Sequence, residues 1–414
     1  MTSIHDNTLR RVVASTPDWH LSGVNVFTTR LFRELRARGW ETTVVITNPT
    51  AAPDELAPVP DDLNIVRFSP TPNRAIRRRQ AMLRDALAER APCVYLPNYD
   101  FDTAGVIPIL PRDVAIAGIV HSDEEVYYDF IRDLGEWMDG IVAVSATIKH
   151  ELAARLPGAK NRLTRIAYGV PMRDSVPAKP ASPPLRVVYA GRLSRRQKRI
   201  TDLADVIAAV HASGAPVTFD VAGDGPDRGE FEQRAAASIA AGATRMHGAL
   251  SPEATARLFD ESHVLILTSE FEGLPVVMIE AMEAGCVPLV TRIRSGIGDL
   301  VEDGRNGILF PVGGVAAAAD ALRRLATGSG TAGLEAMAAA ARAHLVASEF
   351  TLPHAADRYE ELFAQVLVAR AAGAFAPRPG RALIPRHHRW GPRIAARWAR
   401  LTGGSSRRQP EASG

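Results

Sequence analysis

A chain of 414 residues, 46% of them apolar, is long enough for two hydrophobic cores, and no apolar run in it reaches bilayer-spanning length. The net charge of +3 conceals an asymmetry: residues 371–414 hold nine Arg, no Lys and one acid, Glu411. That tail carries +8 and the other 370 residues sum to −5, which excludes a generally basic, nucleic-acid-binding body.

The start, Met-Thr-Ser-Ile-His-Asp, lacks the basic-then-apolar pattern of a signal peptide, so a cytoplasmic location is expected. Thr8 to Ser15 reads as a strand, and Leu21-Ser22-Gly23-Val24-Asn25 as a loop into an amphipathic helix from Val26 to Arg38. Glu41 to Thr47 and Ile65 to Phe68 read as strands, Ala75 to Arg90 as a helix, then Val94 to Leu96 and Val114 to Val120 as strands. A helix over Val126 to Trp137 and a strand over Gly140 to Val144 close the first half. Strands alternating with helices predict a doubly wound parallel sheet. Cys93 and Cys286 sit in or beside apolar runs and read as small buried hydrophobes.

Pro171, Pro177, Pro180, Pro183 and Pro184 then mark a semi-rigid linker. Beyond it the alternation restarts with strand Leu185 to Ala190, helix Arg199 to His211, strand Val217 to Ala222 and helix Arg228 to Ala240. Ser251-Pro252-Glu253 has the form of an N-cap followed by Pro, opening a helix to Asp260. Val264 to Thr268, a tight loop at Glu272-Gly273-Leu274-Pro275, helix Val276 to Ala284 and strand Val287 to Thr291 form a βαβ unit. A last helix is expected over Pro353 to Val368. Two α/β halves joined by a hinge predict a cleft between them.

Gly191-Arg192-Leu193-Ser194-Arg195-Arg196-Gln197-Lys198 follows a buried strand and opens a helix, a place where two cations and a helix N-terminus hold a diphosphate. The chain has 45 Arg and four Lys, Lys149, Lys160, Lys179 and Lys198. A Lys at 198 in so Arg-biased a chain points to a compact point charge. Glu272 and Glu280 flank the βαβ turn. Eight helical residues rise roughly 12 Å, whereas a retaining glycosidase needs carboxyls about 5 Å apart, so the two glutamates suit binding of one polar ligand. Glu283 is expected to face solvent or a neighbouring helix. Asp100-Phe101-Asp102 imitates a metal-binding Asp-x-Asp but lies in the other half from the diphosphate site, so it reads as a loop and no metal is required.

Ser269-x-x-Glu272-Gly273-x-Pro275, with Glu280 eight residues after Glu272 and Glu280-Ala-Met-x-Ala-Gly285 following, resembles the signature of the retaining, nucleotide-sugar-dependent glycosyltransferases of family 4. The resemblance is close over residues 185–315 and holds in outline before them. It implies a GT-B-like α/β fold, two Rossmann-like doubly wound parallel-sheet domains facing a central cleft. It implies that Arg192 and Lys198, after Gly191, contact the nucleotide diphosphate, and that Gly223-Asp224-Gly225-Pro226 lines the nucleotide pocket. Glu272 with Gly273, Leu274 and Pro275 would contact the donor sugar, and Glu280 the ribose hydroxyls. Met246 to Leu250 resembles a segment that packs around the base, with His247 structural. His121, at the end of a strand, matches a His that contacts the donor sugar near the reacting carbon. Gly23, at the turn into the first helix, would let backbone approach a phosphate or sugar.

The expected domains are 1–170 on the acceptor side, a hinge at 171–184, a donor domain at 185–348, a helix crossing back at 349–375 and a basic tail at 376–414. The expected function is retaining transfer of a sugar from a nucleotide-diphosphate sugar to a hydroxyl acceptor, a sugar or a lipid-linked one, in bacterial envelope or polysaccharide biosynthesis. A sugar-nucleotide epimerase or phosphorylase of similar architecture, and a silent sugar-nucleotide-binding scaffold, are the alternatives. In the tail, Trp390, Ile394, Trp398 and Leu401 interleave with Arg389, Arg393, Arg397 and Arg400, a pattern that suits an anionic membrane surface on the inner face of the plasma membrane. Arg74, Arg77, Arg78 and Arg79 would add to it; a helix docked on the body, or a disordered end, is the alternative reading.

Overall fold

The computed structural model describes residues 10–19, 22–48, 60–69, 75–180, 183–327, 331–374 and 378–384. Seven parallel strands form the first sheet: β1 (Arg11–Thr16), β2 (Glu41–Ile46), β3 (Asn64–Arg67), β4 (Cys93–Leu96), β5 (Val114–Val120), β6 (Gly140–Ala143) and β7 (Leu163–Arg165). Their order is β3-β2-β1-β4-β5-β6-β7. All seven residues of β5, Val-Ala-Ile-Ala-Gly-Ile-Val, are buried, as a strand covered by helices on both faces requires. Around the sheet lie α1 (Gly23–Ala37), α2 (Ile76–Ala88), α3 (Glu125–Leu134) and α4 (Ala146–Arg155).

The second sheet has six strands: β8 (Leu185–Ala190), β9 (Val217–Ala222), β10 (Thr244–Gly248), β11 (Val264–Leu267), β12 (Val287–Thr291) and β13 (Ile308–Phe310). Their order is β10-β9-β8-β11-β12-β13. The helices are α5 (Arg195–Lys198), α6 (Ile200–Ala212), α7 (Arg228–Arg234), α8 (Ala236–Ala240), α9 (Pro252–Glu261), α10 (Val276–Glu283), α11 (Ile297–Leu300), α12 (Val315–Ala326) and α13 (Thr331–Val346). Chain progression reverses between β8 and β11, which pair in register Val264 with Val187 and Leu265 with Val188. The loops that leave those two strands therefore splay apart and open a crevice at their C-terminal ends, where open α/β sheets bind ligands.

The final described helix, α14 (Leu352–Ala371), returns to the first sheet. Tyr359 lies 5.9 Å from Phe27 and Phe363 5.3 Å from Trp40, ring centre to ring centre. Trp40 Nε1 donates to Glu360 at 2.8 Å, and Leu362 packs against Gly140. The expected helix over 353–368 is thus a longer one that buries an aromatic seam on the first domain.

Several elements were not anticipated: α4, β7, β10, β13, α11, α12 and α13. The strands β7 and β13 are three residues long and mostly half-buried, too short to show period 2. The expected helix over 228–240 is two, broken at Ala235, whose φ of −89° and ψ of 7° leave helical geometry. Among the described residues no helix is long and apolar enough to cross a membrane.

Candidate active site

The crevice of the second sheet is built by three loops tied to one another. After β8, Gly191 N donates to Ala222 O at 2.9 Å and Leu193 N to Asp224 O at 2.9 Å. The Asp227 carboxylate accepts from Arg195 N at 2.7 Å, capping α5 from the neighbouring loop. Gly223 has a φ of +141°, and a Cβ there would collide with the Gly191 carbonyl oxygen. Only glycine permits so close a crossing. A Cβ on Gly225 would meet Leu193 O in the same way. The expected helix Arg199 to His211 is α6, which starts at Ile200; the motif residues before it form the separate short helix α5, parted from α6 by Arg199, left-handed at φ 45°. Arg192 is exposed and makes no ion pair among the described residues, while its carbonyl accepts from Tyr189 Oη at 2.9 Å.

The loop after β11 brings two expected site residues into direct contact. Lys198 Nζ donates to Glu272 Oε1 at 2.6 Å, and Ser269 Oγ donates to the same oxygen at 2.7 Å. Glu272 is 6% exposed. The Thr268 hydroxyl donates to Lys198 O at 2.7 Å and Glu270 N to Gln197 O at 2.8 Å, which ties the two loops together. Sequence reading placed Lys198 at a diphosphate and Glu272 at a sugar; it did not pair them. Leu274 is buried, and Pro275 precedes α10 as its N-terminal flank without a side-chain cap.

The first domain closes over this crevice. A Cβ on Gly273 would collide with the His121 carbonyl oxygen, so the loop after β5 rests directly on the loop after β11. His121 is 5% exposed. Its Nδ1 meets Tyr168 Oη at 2.5 Å and its Nε2 meets Asn98 Oδ1 at 3.4 Å, with the His and Tyr rings stacked. Burial pushes the imidazole down to about 3, so it is neutral at ordinary pH. The ring expected at the donor sugar is engaged by Tyr168 and Asn98 of the first domain, and the part of His121 that meets the Gly273 loop is its carbonyl. Gly23 begins α1, which Ser22 caps by accepting from Asn25 N at 3.2 Å. Its Cα faces Val276, the first residue of α10.

One cross-domain pair was not foreseen. Arg30 Nη2 of α1 lies 2.5 Å from Glu280 Oε1 of α10. Burial raises the Glu280 carboxyl above its usual range, and the Arg30 charge pulls the other way. Other contacts flank the same seam. Arg294 pairs with Asp123 at 3.2 Å and Glu151 at 2.7 Å, and Arg196 with Glu124 at 3.7 Å. Asp299 Oδ2 accepts from Ala146 N at 2.8 Å and from Arg165 at 3.2 Å. Burial, above all, raises Glu124, which lies near Arg196 and Glu272.

Other expectations are corrected or placed. Glu283 does not face solvent: it is buried and accepts from Arg173 N at 2.9 Å and Arg173 Nε at 3.1 Å. Arg173 also reaches Asp260 at 2.8 Å, and Lys179 Nζ donates to Phe259 O at 2.6 Å, so residues of the linker are held on the second domain. Asp100 accepts from the Thr47 hydroxyl at 2.9 Å and Thr103 N at 3.2 Å, and Arg79 lies 3.8 Å from Asp102. Arg79 is buried and cannot join a basic surface patch with Arg77 and Arg78, which are exposed. His247 Nε2 lies 2.6 Å from Asp220 Oδ1, a structural pairing of β10 with β9. At the start of the tail, Arg378 donates to Pro111 O at 2.6 Å and Val114 O at 2.7 Å, and Leu383 N donates to Gly105 O at 2.9 Å. That stretch is docked on the first domain. Arg74 and the residues from Arg389 to Leu401 lie outside the described residues.

Family models match both halves. Residues 21–174 match one described as Glycosyltransferase Family 4, and residues 184–328 one described as Glycosyl transferases group 1. The chain belongs to the family 4 glycosyltransferases. Among curated relatives, this family member is 30% identical over 139 residues to the alpha-D-kanosaminyltransferase of Streptomyces kanamyceticus, covering 34% of this chain and 36% of the relative. It is 29% identical over 186 residues to the lipopolysaccharide 1,6-galactosyltransferase of Salmonella typhimurium, covering 43% and 50%. The chain thus spans between a third and a half of these relatives. Solved structures share the GT-B fold. TarM matches with a TM-score of 0.71 at 11% identity, over 87% of this chain and 100% of that one. The Anabaena HepE protein in complex with UDP-glucose matches with a TM-score of 0.68 at 15% identity, over 86% and 99%.

Proposed function

We propose that this protein transfers a sugar from a nucleotide-diphosphate sugar to a hydroxyl acceptor, with retention at the anomeric carbon, in polysaccharide or envelope biosynthesis. The observation that carries the reading is the Lys198–Glu272 pair, buried beside the exposed Arg192 at the switch point of the second sheet. In the reaction the bond from the anomeric carbon to the diphosphate oxygen breaks and a bond to the acceptor oxygen forms on the same face. The acceptor proton passes to the departing phosphate. Arg192 and Lys198 stabilise the charge that grows on that phosphate, the task a metal ion performs in other sites. Glu272 holds the donor sugar, and Glu280 the ribose. A neutral His121 positions through its carbonyl and its packing on Gly273 rather than by proton transfer. The closed seam excludes water that would hydrolyse the donor.

The acceptor is a sugar or a lipid-linked sugar, and the tail beyond 384 brings the enzyme to an anionic membrane surface on the cytoplasmic side. Support for the membrane contact is the sequence pattern of Arg and Trp alone. Anionic liposomes should sediment the full chain and leave a chain ending at Ile384 in solution; equal sedimentation ends that part of the proposal.

The central test is a panel of UDP-, GDP-, ADP- and dTDP-linked sugars with chelator present, read by thermal shift and nucleoside diphosphate release. One donor that stabilises the protein and is consumed when acceptor is added supports the transferase. Donor isomerised or phosphorolysed without acceptor transfer points to an epimerase or phosphorylase. Binding without turnover under any acceptor points to a silent scaffold.

A further inference from the structure

The pair formed by Arg30 and Glu280 joins the first helix of one domain to the donor-side helix of the other. Each side chain is still partly open, 20% for Arg30 and 21% for Glu280. Only one atom of each is used in the contact. Glu280 offers Oε1 to Arg30 Nη2, and Oε2 has no hydrogen bond among the described residues. On the other side Arg30 Nη1 is buried and has no partner. A buried N–H left without an acceptor costs free energy comparable to a lost hydrogen bond. The pair therefore retains one unused donor and one unused acceptor.

A hydroxyl group both donates and accepts, and the donor–acceptor set left on this pair is complementary to it. Resting on the reading of Glu280 as the residue that holds the ribose, we propose that Arg30 is a second ribose-binding residue, supplied by the first domain. Its Nη1 donates to a ribose hydroxyl that in turn donates to Glu280 Oε2. The nucleoside is then gripped from both domains at once, and donor binding is coupled to closure of the cleft. Arg30 also opposes the burial that raises the Glu280 carboxyl above its usual range. The opposite possibility is concrete. Arg30 would be a lock on the empty cleft, occupying the carboxylate that the ribose needs and leaving when nucleotide arrives.

The two roles differ in sign. Affinities of UDP, GDP and ADP and of their 2′-deoxy counterparts are measured by calorimetry on the full chain and on Arg30→Ala, Arg30→Lys and Arg30→Gln. A ribose-binding Arg30 predicts that Arg30→Ala weakens the best ribonucleotide by about tenfold or more. The preference for ribose over 2′-deoxyribose should shrink towards one, with Arg30→Lys in between. Unchanged or tighter ribonucleotide binding by Arg30→Ala overturns the proposal in favour of the lock. If Arg30→Ala does not fold, as read by its melting curve, Arg30→Gln gives the same contrast. Failure of the unmodified chain to bind any of the nucleotides would instead remove the donor-site reading, and this inference with it.

Discussion

Lys198 and Glu272, 74 residues apart, share a 2.6 Å charge-assisted hydrogen bond at the point where the second sheet reverses direction. The pair is mostly buried, at 13% and 7% side-chain exposure, so neither charge can be removed without consequence for the other. Lys198→Ala leaves Glu272 with the Ser269 hydroxyl alone. Stability should fall by about 3 kcal/mol, and kcat by roughly 10²–10³-fold if the ammonium stabilises the leaving diphosphate. The double variant Lys198→Met/Glu272→Gln removes both charges. It should regain most of the lost stability, read by urea unfolding, and none of the turnover. Undiminished kcat in Lys198→Ala would sink the mechanism.

Two glycines that look alike in sequence should behave differently. A Cβ on Gly223 strikes Gly191 within the second domain, and a Cβ on Gly273 strikes His121 across the seam. Gly223→Ala should therefore lower the melting temperature, because both its φ of +141° and the crossing of two loops resist a side chain. Gly273→Ala should leave the melting temperature nearly unchanged and keep the domains apart. Small-angle scattering would show an increased radius of gyration and turnover would be lost. A Gly273→Ala protein as compact and active as its parent would contradict the closed geometry.

The second domain was the more legible half, for a physical reason. Strand β8 is apolar but for Arg186, β9 alternates Val217, Phe219 and Val221 with Thr218 and Asp220, and β12 is a buried run ending in Thr291; Gly191 and Gly223 stop the first two, and the expected bounds of all three are the observed ones. Arg192 and Glu272 lie on loops, Lys198 ends the short α5 and Glu280 lies inside α10, in stretches whose composition is unusual enough to be read locally. Their partners are not local. Arg30 lies 250 positions before Glu280 on α1, where nothing in helical periodicity sets it apart from Arg33 or Arg36. A hint was present in the same helix: Asn25, Thr28 and Thr29 are buried beside Phe27 and Leu31, which marks a helix face turned to a polar cleft. Glu283 was misplaced because its partner, Arg173, sits in the linker, whose conformation the sequence pattern does not specify.

His121 supplies a pH test. Its folded value of about 3 lies below the ordinary 6.5, so the folded protein favours the neutral ring. Stability from this site is complete above pH 6.5 and drains as pH falls, because the unfolded chain takes up a proton that the folded one refuses. Between pH 7 and pH 5 the loss should be about 2 kcal/mol. His121→Gln abolishes that share, so the stability difference between the two proteins should narrow towards acid. A His121 imidazole resonance, assigned by its loss in His121→Gln, that titrates near 6.5 in the folded protein would refute the buried neutral ring and reopen a role in proton transfer.

Asp100 has the opposite sign. It is fully buried in the loop after β4, and burial raises its carboxyl to about 6 against the opposing hydrogen bonds from Thr47 and Thr103. The folded state therefore favours the protonated acid, and its contribution to stability is present at low pH and lost as pH rises through 6. The gap of roughly two pH units corresponds to about 3 kcal/mol. Asn imitates the neutral acid: its carbonyl oxygen accepts from Thr103 N, and its amide replaces the acidic proton facing Thr47, whose hydroxyl already reaches Thr16 O. Asp100→Asn should match the parent near pH 4 and become the more stable protein by pH 7. Urea unfolding at pH 4.5, 5.5 and 7 reads that divergence. A constant difference across the range would mean that Asp100 is ionised throughout, held by a charge partner the loop geometry does not reveal, and would restore Asp100-Phe101-Asp102 as a place for a cation.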